Sequence, residues 1–132
     1  METTQLLPDN LDEAIEILKD FYSSKLDEIK SLTEDSFSSS SHFGAGTFIR
    51  DSWFLWWHEN HGYKSWPKEK PKLIEFFNNL NIYHGDDISS IILISFHRSL
   101  NNKPINIEEQ LKVYFNHWKK QGFKDGIFKP GN

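Results

Sequence analysis

The chain has 132 residues, a net charge of −4 and an aromatic content of 15%. This length is ordinary for one domain and is sufficient to bury a core without disulfides or a structural metal. The chain contains no cysteine, which excludes disulfides, thiolate metal sites and cysteine nucleophiles and favours a reducing, cytoplasmic location. We therefore expect a single domain over residues 1–132, with irregular tails at residues 1–8 and 122–132.

The sequence shows no sign of export or membrane insertion. Its first residues combine neither a basic segment nor an apolar one, so we expect no secretion signal. Its longest apolar run is far shorter than the roughly 20 residues that span a bilayer. We therefore expect a protein that does not act in a membrane.

The acidic residues are concentrated near the start of the chain. Residues 1–40 contain ten acidic residues and three lysines, whereas residues 41–132 contain nine acidic and twelve basic residues. Binding to nucleic acid requires a concentrated basic surface, so we expect no nucleic-acid partner. The acidic segment favours a protein partner with a basic face; the alternative is that these side chains only solvate exposed helices.

The first third of the chain predicts two helices. Asn10 and Glu13 have the spacing of a capping box. Apolar residues then recur every three or four positions from Leu11, with Phe21 or Tyr22 as the last, which predicts an amphipathic helix of about three turns. A second helix is predicted over residues 24–32 and a capped turn over residues 33–37. The serine run at residues 38–41 is interpreted as a loop.

Residues 41–58 form the most distinctive segment, because it is rich in aromatic residues and apolar on nearly every side. Such a pattern predicts a buried central helix. Gly44 and Gly46 within it favour the close approach of a neighbouring helix. Residues 59–71 are polar and are predicted to form a loop.

The rest of the chain predicts three more helices. The first begins at Leu73 and ends near Asn78 and Asn79. The second is capped by Asp86 or Asp87 and ends at Leu100, and the third covers residues 106–120 with Asn106 in a second capping box. The β-branched residues of the middle segment leave a strand as its alternative. The predicted fold is mainly α: a single compact bundle of about five to six helices with a buried, aromatic-rich central helix.

The histidines do not predict a metal site. His58 and His61 lie three residues apart, but this spacing is not that of a helical zinc motif. His84 precedes Asp86 and Asp87 at a helix start, where capping and the helix dipole explain the acidic residues. We therefore predict neither a metal nor another cofactor.

Arg50 and Arg98 lie in predicted apolar helices, where a charge requires a partner or a water-filled cleft. In one interpretation, Arg50 pairs with Asp86 or Asp87 and joins two central helices. In the other, the arginines and several histidines converge in a pocket that binds an anion. The pocket hypothesis comprises His42, Arg50, His84, Asp87, His97 and Arg98.

No catalytic motif is recognisable. The sequence has no Walker loop, no glycine-rich dinucleotide fingerprint and no Gly-x-Ser-x-Gly. We can therefore name no set of nucleophile, base and oxyanion donors, and we predict no catalytic residues.

Three sequence segments carry a resemblance. They are SHFGAGTFIRDSW at residues 41–53, DDISSIIL at residues 86–93 and HRSLN at residues 97–101. Together they resemble a family of small bacterial proteins that is known only as a domain of unknown function, over roughly residues 8–118. The resemblance implies one domain and a bacterial source and brings no catalytic residues, and Gly85 stands where the family pattern has proline.

Small size, the lack of catalytic motifs, the local acidity and the abundant aromatic residues favour a non-enzymatic protein-binding module. Its most concrete form is an immunity or antitoxin-type protein that neutralises a bacterial toxin with a basic domain. The alternative is a small ligand-binding protein or hydrolase that uses the hypothetical pocket. Tryptophan and tyrosine near the polar loop either anchor the partner or close the core. The predicted partner-binding residues are Glu13, Glu16, Asp20, Asp27, Glu28, Trp57, Tyr63 and Trp66.

Overall fold

The computed structural model describes residues 7–41, 44–53, 55 and 70–128. Over these residues the backbone forms seven α-helices, one short 3-10 turn and no strand. The helices are α1 (Leu11–Phe21), α2 (Leu26–Ser31), α3 (Glu34–Ser41), α4 (Ala45–Ser52), α5 (Lys72–Asn78), α6 (Gly85–Leu100) and α7 (Ile107–Lys120), and the 3-10 turn is Lys124–Gly126. The predicted helical fold is confirmed, and the strand alternative for the segment of α6 is wrong.

The start of α1 follows the prediction closely. The Asn10 side chain accepts a hydrogen bond from the backbone N–H of Glu13 at 2.9 Å. The Glu13 carboxylate accepts one from the N–H of Asp9 at 2.9 Å, one residue before the expected partner. These bonds satisfy N–H groups that a helix start leaves without partners, so α1 begins where the capping residues lie.

The serine run is helical, which corrects its interpretation as a loop. The helix α3 begins after Thr33, whose hydroxyl accepts from the N–H of Ser36 at 3.1 Å. Within α3, Phe37 is buried, and its ring lies 6.0 Å from that of Phe96 and 5.4 Å from that of His97. Burial of this one aromatic ring outweighs the modest helix propensity of serine.

Of the helices that the structure describes, α6 is the most buried, whereas the sequence placed the central helix at residues 41–58. Ten of the sixteen residues of α6 are buried, and α1, α2, α3, α4 and α7 all contact it. Its isoleucines, together with small serines on other sides, allow helices to approach from several directions. Part of the aromatic segment forms α4 against this centre, and Trp53 is buried. Residues 42, 43, 54 and 56–58 of that segment lie outside the described residues.

At two helices, the capping observed at the N-terminus differs from the predicted capping. At α6 the cap is His84, whose Nδ1 accepts from the N–H of Asp86 at 3.1 Å. Asp86 and Asp87 instead lie in the first turn, where negative charge is favourable beside the helix N-terminus. At α7, Asn106 has φ 50° and makes no side-chain cap bond, because capping by a side chain requires an extended backbone.

The end of the chain is packed more tightly than an irregular tail implies. The 3-10 turn lies against α7, where Gly126 has φ 72° and a side chain at this position would overlap the Phe115 carbonyl. The rings of Phe123 and Phe128 lie 5.5 and 4.7 Å from that of Trp118. In the other predicted tail, Pro8 is buried.

Along the described ranges, no helix has the length and apolar character that crossing a membrane requires.

Candidate functional site

Arg50 joins α4 to the N-terminal end of α6. The side chain is 1% exposed. Its Nη1 donates to the Ser89 hydroxyl at 3.0 Å, and its Nη2 donates to the Thr47 hydroxyl at 3.3 Å. Its Nε lies 3.6 Å from an oxygen of Asp86. Of the two acidic partners proposed for Arg50, the structure places Asp86 beside it, and the pair bridges two helices of the core.

Asp87 faces a different helix. Its carboxylate accepts a hydrogen bond from Nε1 of Trp118 at 2.7 Å. Burial raises the pKa of Asp87, and the indole bond opposes that rise. The ring of His84 lies 5.5 Å from the Trp118 ring. Asp87 and His84 therefore connect the start of α6 to α7.

Arg98 holds three segments together at the C-terminal end of α6. Its Nε and Nη2 donate to the two carboxylate oxygens of Glu34 at 2.8 and 3.2 Å. Its Nη1 donates to the Ile105 carbonyl at 2.7 Å and lies 3.4 Å from Glu109. The guanidinium holds the pKa of Glu34 below its usual range, and Glu34 raises the pKa of Arg98. The two-pronged contact with Glu34 joins α3 to α6, and the contact with Glu109 adds α7.

His97 hydrogen-bonds to the backbone at the C-terminal end of α2. Its Nε2 donates to the Leu32 carbonyl at 2.8 Å, since a carbonyl can only accept. Its ring is stacked on that of Phe37 and is nearly inaccessible to solvent. The bond satisfies a carbonyl that the end of a short helix leaves without a partner.

The described members of the hypothetical pocket form two separate clusters. Arg50, His84 and Asp87 lie at the N-terminal end of α6, and His97 and Arg98 lie at its C-terminal end. His97 lies ten positions after Asp87 on the same helix, which corresponds to about 15 Å. The sixth member, His42, lies outside the described residues.

The same two ends do not form a metal centre. In the part of the chain that the structure describes, no three His, Asp or Glu side chains come together as metal binding requires. The His58 and His61 pair lies outside those residues.

The predicted acidic partner-binding residues lie on the outside of the bundle. Glu13, Glu16 and Asp20 are exposed on α1, and Asp27 and Glu28 are exposed on α2. Trp57, Tyr63 and Trp66, the predicted aromatic anchors, lie outside the described residues.

An apolar groove runs between the acidic side chains of α1. Leu7 and Ile17 line it together with Asp12, Glu13 and Glu16, and this shallow, open groove has a volume of about 320 Å³. One helical turn beyond Ile17, the exposed ring of Phe21 is stacked on that of Phe48 from α4, with centroids 4.9 Å apart and planes at 14°. We call this surface the acidic strip, and it consists of Leu7, Asp12, Glu13, Glu16, Ile17, Asp20, Phe21 and Phe48.

Carboxylates outnumber cations on the acidic strip. Lys19 lies 3.5 Å from Glu16, and Glu13 accepts a backbone bond. Among the described residues, no ion pair engages Asp12 or Asp20. The strip therefore combines apolar side chains with a net negative rim.

The apolar members of the strip were missed by the sequence analysis, although one signal was present. Phe21 and Tyr22 are adjacent at the end of the α1 stripe, and two neighbouring residues of a helix cannot both face the same side. Tyr22 turns inward, with its ring 6.2 Å from that of Phe96. Phe21 is left 56% exposed.

Comparison with known proteins gives a family but no activity. No curated protein and no solved structure matches the chain. The model of a family described as a domain of unknown function (DUF6794) matches residues 7–100. The match ends with the last residue of α6, so it includes the acidic strip and both arginines, and α7 lies beyond it. Because the match covers more than half of the chain, the protein belongs to this family of domains of unknown function.

Proposed function

We propose that the protein is a non-enzymatic protein-binding module, of the immunity or antitoxin type, that neutralises a bacterial toxin by covering a basic surface. The observation that carries the proposal is the acidic strip, where an exposed, stacked aromatic pair continues into a groove rimmed by carboxylates.

The apolar part of the strip supplies the anchor. Phe21 and Phe48 are 56% and 40% exposed, and they come from different helices. Single exposed apolar residues are common on soluble proteins, but contiguous ones mark interaction sites. Aromatic side chains also contribute most of the binding energy in many interfaces. The pair is therefore the expected centre of the contact.

The charged part of the strip selects the partner. Asp12, Glu13, Glu16 and Asp20 are opposed on this surface by Lys19. A net negative rim steers a positively charged protein toward the strip and raises its association rate, and added salt weakens this effect. The exposed Asp27 and Glu28 of α2 are balanced by the exposed Lys25 and Lys30, so the negative rim belongs to α1.

A toxin that acts on nucleic acid has the required chemistry. Such a domain needs a basic surface, because contacts to phosphate supply most of its affinity for the substrate. A small protein that presents carboxylates around an apolar anchor can occupy the same surface and exclude the substrate. A toxin of this kind is therefore the proposed partner, and the acidic strip is the proposed inhibitory surface.

The alternative function, a ligand-binding protein or hydrolase, requires one polar cleft. A groove of about 340 Å³ does lie beside Arg98, between α3, α6 and α7. There, however, two carboxylates and a carbonyl already engage the guanidinium. No observation on the described residues favours this alternative.

The test is an affinity capture from the native host with matched charge reversals. The test variant carries Glu16→Lys and Asp20→Lys, and a second test variant carries Phe21→Ser. The control carries Glu75→Lys and Glu108→Lys, which change the net charge equally on α5 and α7. We expect one stoichiometric basic partner with the wild type and the control, and its loss with both test variants.

A second measurement establishes neutralisation. The captured partner is expressed in a heterologous cell with either the wild-type chain or the Glu16→Lys, Asp20→Lys variant. We expect growth arrest that the wild type relieves and the variant does not. Equal capture by all variants, or a partner whose expression is harmless, would overturn the proposal.

A further inference from the structure

The C-terminal helix and the 3-10 turn form a unit with tight internal packing. Gly126 lies directly against the backbone of Phe115, with no room for a side chain. The rings of Trp118, Phe123 and Phe128 form a mutual cluster, with each pair of centroids within 5.5 Å. Residues 107–128 therefore hold together through their own contacts.

The attachment of this unit to the bundle is sparse by comparison. Of the fourteen residues of α7, only Gln110 and Leu111 are buried. Near the start of α7, Gln110 donates from Nε2 to the Ser95 hydroxyl at 3.1 Å, and Glu109 lies 3.4 Å from Arg98. Near its end, the principal polar contact is the bond from Trp118 to Asp87. In addition, the partly buried side chains of Ile107, Tyr114 and Phe115 pack against the core, and the His84 ring contacts the rings of Trp118 and Phe128. The unit is therefore attached by polar contacts near its two ends and by side chains that are only partly buried.

Each of the two attachment points includes a buried polar group that lowers the stability of the closed arrangement. Gln110 Nε2 also donates to the Ile105 carbonyl at 3.0 Å, which fixes the orientation of the amide because a carbonyl cannot donate. The Oε1 atom is consequently buried, with no hydrogen-bond partner in the described part of the chain. At the other point, the Asp87 carboxylate is removed from water. An unsatisfied acceptor and a desolvated carboxylate both reduce the net stability of the closed arrangement.

The connection between α6 and α7 is suited to act as a hinge. Asn102 and Asn106 both have left-handed backbone conformations, with φ 56° and 50°. Such conformations are strained for residues other than glycine, and asparagine tolerates them best. The family match ends at residue 100, just before this connection.

We propose that α7, the 3-10 turn and the two residues after it, residues 107–128, form a C-terminal strap that opens as a unit about residues 101–106 while α1–α6 remain folded. Of the apolar side chains of the strap, Leu111 is buried in the core, and Ile107, Tyr114 and Phe115 pack against the core while only partly buried. Elements with few buried contacts open at lower free energy than the core does. Opening uncovers Asp87 and Ser95, so the strap controls access to this face of α6.

The strap proposal is independent of the proposed toxin partner, because the acidic strip lies on α1 and α4.

Two buried serines of α6 provide a matched test. Ser95 lies beneath Gln110 of the strap, whereas Ser89 lies beneath Arg50 of α4, and both are fully buried. Since the chain has no cysteine, Ser95→Cys and Ser89→Cys each introduce one thiol whose modification rate reports local opening.

We expect a thiol reagent to modify Ser95→Cys at least about tenfold faster than Ser89→Cys under native conditions, since only global unfolding exposes residue 89. Adding Trp118→Phe keeps a ring in the aromatic cluster but removes the donor to Asp87. This change should accelerate Ser95→Cys by a further factor of about ten and leave Ser89→Cys unchanged. Equal rates for the two thiols, or equal acceleration of both, would overturn the proposal.

Hydrogen exchange of the full-length protein gives a readout without cysteine substitutions. The amides of residues 107–120 should exchange faster than those of residues 88–100, and Trp118→Phe should widen the difference. If both helices exchange with the same protection and respond equally to the substitution, α7 opens only with the whole bundle and there is no strap.

Discussion

The two ends of α6 hold an arginine in different ways. At the N-terminal end, Arg50 is buried completely and donates to two hydroxyl groups, with Asp86 3.6 Å away. At the C-terminal end, the Arg98 side chain is 16% exposed and makes a two-pronged contact with Glu34. The comparison indicates that burial dominates the energetics of the first site and that charge pairing dominates those of the second.

The carboxylates at the two ends have pKa values that are shifted in opposite directions. Burial raises the pKa of Asp87, whereas the contact with Arg98 lowers the pKa of Glu34. A raised pKa and a lowered pKa give opposite dependences of stability on pH. The two ends of one helix should therefore respond oppositely to acid.

The largest effect is expected for Arg50→Ala. This change empties the space of a fully buried side chain and removes the donors to Ser89 and Thr47. Removal of one partner from a buried polar network costs about 3–5 kcal/mol of unfolding free energy. Urea denaturation followed by circular dichroism measures it, with the exposed Lys72→Ala as the control. A loss below about 1 kcal/mol would show that burial does not dominate this end.

A smaller effect is expected for Arg98→Ala. The contact with Glu34 is charged and two-pronged, but partial exposure to solvent weakens it, so we expect a loss of about 2 kcal/mol. The loss should shrink in 1 M salt, whereas that of Arg50→Ala should change little. If salt affects both variants equally, the distinction between the two ends fails.

The smallest effects, on the order of 1 kcal/mol, are expected from neutralising the two carboxylates. The contribution of Glu34 is present above its unfolded pKa and is lost as the pH falls through its lower folded pKa. Glu34→Gln should therefore destabilise the protein at pH 7 and have little effect at the acid extreme.

Asp87 should show the reverse dependence. Its contribution is present below its unfolded pKa and is lost as the pH rises through its higher folded pKa. Asp87→Asn keeps an oxygen that accepts from Trp118, so it should stabilise the protein at pH 7 by on the order of 1 kcal/mol and match the wild type in acid. Urea denaturation from pH 3 to pH 8 compares both variants with the wild type; effects of the same sign at pH 7 would contradict the assignment.

Much of the helical structure could be predicted because its signals are local. The cap and the apolar stripe of α1 lie within one short segment, and α1 begins after Asn10 as expected. The centre of the bundle could not be located in this way. Aromatic content favoured residues 41–58, but what places α6 at the centre is the number of helices that contact it, and this depends on topology.

The site was predictable only in part. The pairing of Arg50 with a first-turn acidic residue of α6 followed from the need of a buried charge for a partner. The pairs Arg98 with Glu34 and Trp118 with Asp87 span 64 and 31 residues, and no spacing rule connects residues so far apart. The separation of Asp87 from His97 was already implicit, since both belonged to one predicted helix and the rise of an α-helix places them about 15 Å apart.

The central claim is that the two arginines belong to separate structural clusters and not to one ligand pocket. A double-mutant cycle with Arg50→Lys and Arg98→Lys, measured by urea denaturation, tests it directly. Each change keeps the charge and removes the forked donors. We predict that the two losses of unfolding free energy add within about 0.5 kcal/mol, as they do for distant sites. A coupling above about 1 kcal/mol would show that the arginines share partners and would contradict the account.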